Sequence, residues 1–185
     1  MKHLKLLVSL LLVPVCASAQ SVTVLSGGGE ARACSTAAKM SLTRLNRTRS
    51  DLDSCNRALD EVNLSRRDRA ATFVNRGILL AALDEYQDAL NDYNDALELV
   101  PEMPQAWNGK GNLYYLADRL DEAIAAYERA LELNLPERQV AYYNLGITYE
   151  KLRDDAAAER SYNTALEIAP DWAPAKERLE KLRAN

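Results

Sequence analysis

Small and apolar positions recur along this chain at a fixed interval. Gly77, Leu80, Ala89, Tyr93 and Ala96 form one set. Gly111, Tyr114, Ala123, Tyr127 and Ala130 form a second, and Gly146, Tyr149, Ala158, Tyr162 and Ala165 a third. The glycines are 34 and then 35 residues apart. Within each set the short steps are those that put side chains on one face of a helix. Each set therefore predicts two helices joined by a short charged turn: Leu83-Asp84-Glu85, Ala117-Asp118-Arg119 and Leu152-Arg153-Asp154. Pro101, Pro136 and Pro170 follow the second helices, where a proline ends a unit without breaking a helix interior. A period of this length means helical hairpins that stack because none can bury its apolar face alone. The expected units are 70–103, 104–138 and 139–172, and the fold class is all-α.

The glycine and the alanines read as sites of close helix crossing, and the tyrosines as filling between consecutive hairpins. Before the repeats, weak amphipathic spacing predicts helices over about 30–46 and 49–62, then a turn over Asn63 to Asp68 carrying Arg66 and Arg67. Cys55-Asn56-Arg57-Ala58-Leu59 aligns with Tyr93-Asn94-Asp95-Ala96-Leu97, so residues 30–69 read as a degenerate first hairpin. After the repeats, Asp171 is placed to cap a helix with Pro174 in its first turn. That helix, within 173–185, sets Lys176, Glu177, Arg178, Glu180, Lys181 and Arg183 around Leu179 and Leu182. It reads as a solvated cap over the last hairpin.

The beginning of the chain changes the picture. Lys2 and Lys5 precede an apolar run, Leu6 to Val15, and Ala17-Ser18-Ala19 sets small residues before Gln20. This predicts a secretory signal peptide over 1–19 and a protein exported to the periplasm or beyond. The run is too short to span a membrane. Cys16 follows Val15 where a lipoprotein box requires a small residue, which argues against a lipid anchor. Residues 20–29 end in Gly27-Gly28-Gly29 and read as a flexible tether. Cleavage after Ala19 removes His3, the one histidine of the chain, and leaves Cys34 and Cys55. The cysteines lie symmetrically about a turn near residue 44 or 45, so an antiparallel hairpin brings them face to face. A structural disulfide is expected, since a redox pair favours close Cys-x-x-Cys spacing.

Trp107, Gly111, Tyr114, Ala123, Tyr127 and Ala130 resemble the signature of the tetratricopeptide repeat family. Phe73 and Tyr142 stand where Trp107 stands, and Pro101 and Pro170 match the terminal proline. The exported leader, the two-cysteine helical pair and the Val-Asn-Arg-Gly opening at Val74 to Gly77 are similar to exported bacterial members. The resemblance implies a right-handed superhelix whose first helices line a concave groove for a peptide or a partner protein. By helical offset the groove would present Val74, Asn75 and Ile78, then Asn108, Asn112 and Tyr115, then Tyr143, Asn144, Ile147 and Lys151. An asparagine amide donates to and accepts from a peptide backbone at once, and tyrosine adds apolar area with a polar tip. The alternative is that Asn75 and Asn144 tie one hairpin to the next. Val74, Ile78, Asn108 and Tyr143 stand where carboxylate-clamping members carry basic groups, which argues against recognition of a C-terminal carboxylate.

Charge and chemistry narrow the function further. Residues 20–68 carry a net +2 and residues 69–185 a net −8. Acidic repeats disfavour nucleic acid. The arginines at 44, 47, 49, 66, 67 and 69 read mainly as a solvated face, with an acidic partner or lipid headgroups as the alternative. There is no phosphate-cradling loop and no nucleophile elbow, and the mature chain has no histidine for a triad or zinc motif. No catalytic residue, cofactor or metal is expected. The sequence thus predicts a non-enzymatic interaction module or scaffold of the cell envelope. The alternative is an assembly subunit that docks through its array ends or N-terminal hairpin.

Overall fold

The computed structural model describes residues 22, 28–41, 48–61 and 63–184. The expected leader with Cys16, residues 20, 21 and 23–27, and the segment holding Arg44 and Arg47 lie outside the described residues. Among the described residues the chain is all-α. The helices are α1 (Gly29–Ser41), α2 (Asp53–Asp60), α3 (Arg66–Ala82), α4 (Tyr86–Leu99) and α5 (Pro104–Leu116). They continue with α6 (Leu120–Glu132), α7 (Arg138–Lys151), α8 (Asp155–Ile168) and α9 (Ala173–Ala184). A single 3-10 turn over Arg49–Leu52 leads into α2.

Helices pair as hairpins: α1 with α2, α3 with α4, α5 with α6, and α7 with α8. The first helices α1, α3, α5 and α7 also pack on one another in order, whereas α4, α6 and α8 make no comparable contact among themselves. A stack held closer along one row of helices than along the other curves toward the tighter row. The first helices therefore form the inner, concave side. Helix α9 packs on α8 and buries Ala175 and Leu179.

The repeated residues meet inside each hairpin. Tyr93, Tyr127 and Tyr162 are fully buried. A methyl group on Gly77 would sit 2.8 Å from the Tyr93 ring, one on Gly111 2.5 Å from Tyr127, and one on Gly146 2.4 Å from Tyr162. Each glycine thus makes room for the tyrosine of its own hairpin, so the tyrosines pack inside a hairpin where the spacing placed them between consecutive ones. Tyr93 does both, since a Cβ on Gly109 of the next unit would also meet its ring at 2.4 Å.

The turns repeat as closely as the helices. Asp84, Asp118 and Arg153 adopt left-handed backbone with φ of 62°, 61° and 62°. The next residue's N–H then reaches back to a carbonyl: Glu85 to Leu80, Arg119 to Tyr114 and Asp154 to Tyr149, each at 2.9 Å. This closes the ends of α3, α5 and α7 in the same way. The left-handed residue costs about 1 kcal/mol when it is not glycine, and the bonds it permits offset that.

The flanks depart from expectation in three places. The second predicted helix begins as a 3-10 turn and ends at Asp60. Helix α3 begins at Arg66, inside the predicted turn, because the Ser65 side chain accepts from the Asp68 N–H and caps it. This places Arg69 on the helix, where its guanidinium donates to the carbonyls of Leu59 and Glu61 at 2.5 and 2.6 Å and closes the end of α2. Asp171 does not cap α9: the Lys176 N–H bonds the Trp172 carbonyl, and the Asp171 carboxylate pairs with the Lys176 ammonium at 3.1 Å.

Cys34 and Cys55 form a disulfide between α1 and α2, with Cα atoms 4.7 Å apart. Both are fully buried in the core that contains Val74, Ile78 and Tyr93. The bridge therefore joins the first hairpin internally and presents it as one surface to α3.

Candidate binding groove

The concave side holds the main chain of Val22 at its N-terminal end. The Asn75 side chain, fully buried on α3, accepts from the Val22 N–H at 2.8 Å through Oδ1. Its Nδ2 donates to the Val22 carbonyl at 2.9 Å. Ser35 on α1 donates its hydroxyl to the same carbonyl at 3.0 Å. Val22 is half-buried, and its side chain packs on the apolar cores beneath α1 and α3. The N–H and the C=O of Val22 thus face the same side chain. A carboxamide offers an acceptor and a donor side by side, so Asn75 mimics a neighbouring strand. The predicted tether is thus anchored at Val22.

The other sequence-predicted positions divide into two groups. Asn112 and Asn144 hold the second and third repeats together. Asn112 Oδ1 accepts from the Tyr127 hydroxyl at 2.9 Å and from Asn144 Nδ2 at 3.0 Å. For Asn144 the packing alternative describes these bonds, whereas Asn75 reaches out of its helix to another segment. Val74, Ile78 and Ile147 lie in apolar cores, and Asn108 is buried on α5. Tyr143 is nearly buried, tilted against Tyr162 with centroids 5.8 Å apart and edge-on to Trp172 at 5.2 Å. It lines a cavity of about 230 Å³ with Pro174, Glu177 and Arg178 of α9. Tyr115 is half-buried and Lys151 exposed. The Lys151 ammonium lies 4.8 Å from the Tyr115 ring centroid and pairs with Asp118 at 2.7 Å.

Two charged groups that the sequence did not single out organise the ends of the array. Arg76 holds Asp92 with two bonds of 2.8 and 2.7 Å, donates to Asn56 Oδ1 at 3.0 Å, and so ties α2, α3 and α4 together. Burial raises the Asp92 carboxyl above the usual carboxylate range, and Arg76 offsets only part of that. At the other end Glu150 stands at the offset from Gly146 that Tyr115 has from Gly111. Its carboxylate accepts from the Tyr162 hydroxyl and from Arg178 of α9 at 3.2 Å. Neither partner lies at helical spacing from Glu150, so no local pattern marks the triad.

Burial, reinforced by the Glu150 carboxylate, pushes the Tyr162 hydroxyl well above the ordinary tyrosine range. The folded state therefore keeps this proton at pH values where the unfolded chain, with a pKa of about 10, loses it. Stability from this group is fully present below about pH 10 and falls by about 1.4 kcal/mol per pH unit above it. Chemical denaturation between pH 9 and 11.5 is expected to show a steeper alkaline loss for the natural protein than for Tyr162→Phe. Parallel curves would assign the loss to other groups.

Residues 74–134 and 140–171 match the tetratricopeptide repeat family, together about half of the chain. The chain belongs to that family, whose repeats are non-enzymatic binding modules. The general transcriptional corepressor ssn6 of Schizosaccharomyces pombe is 32% identical over 100 residues, which are 54% of this chain and 9% of that protein. This chain therefore spans under a tenth of that relative. Among solved structures, YrrB, described as a tetratricopeptide repeat protein with an unusual peptide-binding site, is 27% identical with a TM-score of 0.60. The match covers 71% of this chain and 65% of YrrB, just under two thirds of it. The first repeat domain of Spaghetti (RPAP3), bound to an HSP90 peptide, shares the fold at 20% identity and a TM-score of 0.60, over 64% of this chain and 93% of that one.

Proposed function

We propose that this protein is an interaction module of the cell envelope that binds an extended peptide or a partner's extended segment along its concave groove. The observation that carries the reading is the Asn75 carboxamide, which holds both main-chain groups of Val22 on the concave side. Recognition of this kind is indifferent to the side chain held, and the neighbouring apolar core then favours small apolar residues. The described peptide-binding sites of YrrB and of the Spaghetti domain support the same use of the fold. The placement in the envelope rests on the apolar leader pattern, and the buried disulfide agrees with it.

Photo-crosslinking in the producing cell tests the reading. A photoreactive residue at Tyr115 or Lys151 on the first helices is expected to capture a partner. One at the exposed Glu128 or Arg129 on α6 is expected to capture none. Capture at α6, or at the exposed Arg66 and Arg67, and not at Tyr115 or Lys151, would favour docking through the outer face or the N-terminal end. A pool of the protein found only in the cytoplasm would overturn the placement.

A further inference from the structure

We infer that the groove is occupied in cis: the chain's own Val22 fills the main-chain clamp of Asn75 and Ser35, and a partner must displace it to bind there. The inference rests on the groove reading above and adds the regulation of that site.

Three observations support it. First, the contact has the form of bound peptide rather than of packing between repeats. Both main-chain groups of one residue are held, by side chains from two successive first helices, across 53 positions of sequence to Asn75 and 13 to Ser35. Second, Asn75 is fully buried. A buried carboxamide that loses its partners keeps an uncompensated desolvation cost, so the clamp favours an occupant at all times. Third, Val22 lies close in sequence to the start of α1, the helix that supplies Ser35. A tether that short keeps the local concentration of the occupant high, on the order of millimolar. An incoming segment sees its affinity reduced by the fraction of clamps that stand open.

The buried asparagines Asn112 and Asn144 behave differently. Asn144, at the same offset from its glycine as Asn75, donates to Asn112 within the array. Asn75 instead faces Val22, a residue outside the repeats. The occupant's chemistry follows from the clamp. It is an extended stretch with a free N–H, a small apolar side chain over the core, and no proline at the clamped position.

The test uses the full chain and a labelled peptide of residues 20–27, Gln-Ser-Val-Thr-Val-Leu-Ser-Gly. In the natural protein the Val22 amide is expected to exchange at least about 100-fold more slowly than in the free peptide, read by NMR. Val22→Pro removes the clamped N–H and leaves every helical residue unchanged. This variant is expected to bind the labelled peptide about 10-fold or more tightly than the natural protein does, by fluorescence anisotropy. The same peptide with proline at its third position is expected not to bind. An unprotected Val22 amide overturns the inference, and so does equal peptide affinity in the two proteins, including no binding by either. Failure of the groove reading registers separately, as crosslinks confined to α6 or to Arg66 and Arg67 whatever the state of Val22.

Discussion

Gly111→Val is expected to destabilise the array by about 4 kcal/mol, near the upper end of overpacking effects. The first added carbon would sit 2.5 and 2.6 Å from Tyr127 Cε1 and Cδ1. A flexible side chain could move aside, but this ring cannot. It is fully buried, and its hydroxyl is bonded to Asn112, which also holds Asn144 of the next hairpin. Displacing the ring therefore breaks the tie between the second and third repeats as well as the packing inside the second. Differential scanning calorimetry should show a melting temperature lower by about 12 °C, given 2–4 °C per kcal/mol at this chain length. Pairing the substitution with Tyr127→Leu, which removes the ring edge, should recover part of the loss. A melting temperature within about 2 °C of the natural protein's would mean that the glycine is not fixed by the tyrosine.

Removing the disulfide is the second large effect, and it should be local. The bridge closes a loop of about twenty residues, which stabilises by roughly 3 kcal/mol in the chain-entropy account. Cys34→Ala with Cys55→Ala also thins a core that includes Val74 and Ile78. Stability in a repeat array is approximately a sum of units and nearest-neighbour interfaces. The loss should therefore concentrate in α1 and α2, and spread to α3 through its contacts with both. Hydrogen exchange is expected to rise in residues 29–60 while α5 to α8 keep their protection. The Val22 amide should lose protection too, because Ser35 is carried by α1. Uniform loosening across all hairpins would show instead that the first hairpin controls the whole array.

The two effects differ in how they are written into the sequence. The glycine-to-tyrosine pairing is legible as a fixed offset of sixteen residues that recurs in each repeat. Its cause is local: two helices joined by a turn of constant form bring the same offsets into contact each time. The cysteine pair is legible for the same reason, as symmetry about a hairpin turn. The Asp171 cap was misread because its carboxylate finds Lys176, while Trp172 supplies the first carbonyl of α9.

What was not legible joins parts of the chain that no period relates. Arg76 reaches Asp92 in its own hairpin and Asn56 in the hairpin before. Glu150 meets Tyr162 and Arg178, one from its own hairpin and one from the terminal helix. The asparagines show the distinction most clearly. Asn75 and Asn144 hold the same place in their repeats, and the sequence left both a groove role and a packing role open for each. Stacking then put Asn112 beside Asn144 and the main chain of Val22 beside Asn75.

The sequence by itself determined the all-α class, the hairpin unit, its three complete copies and the pairing of Cys34 with Cys55, because each depends on contacts within one hairpin. Only the tertiary structure decided which amides serve the stack and which reach beyond it. That choice depends on how neighbouring hairpins and the segment before them come together, and a carboxamide bonds whatever acceptor and donor the assembled fold sets before it.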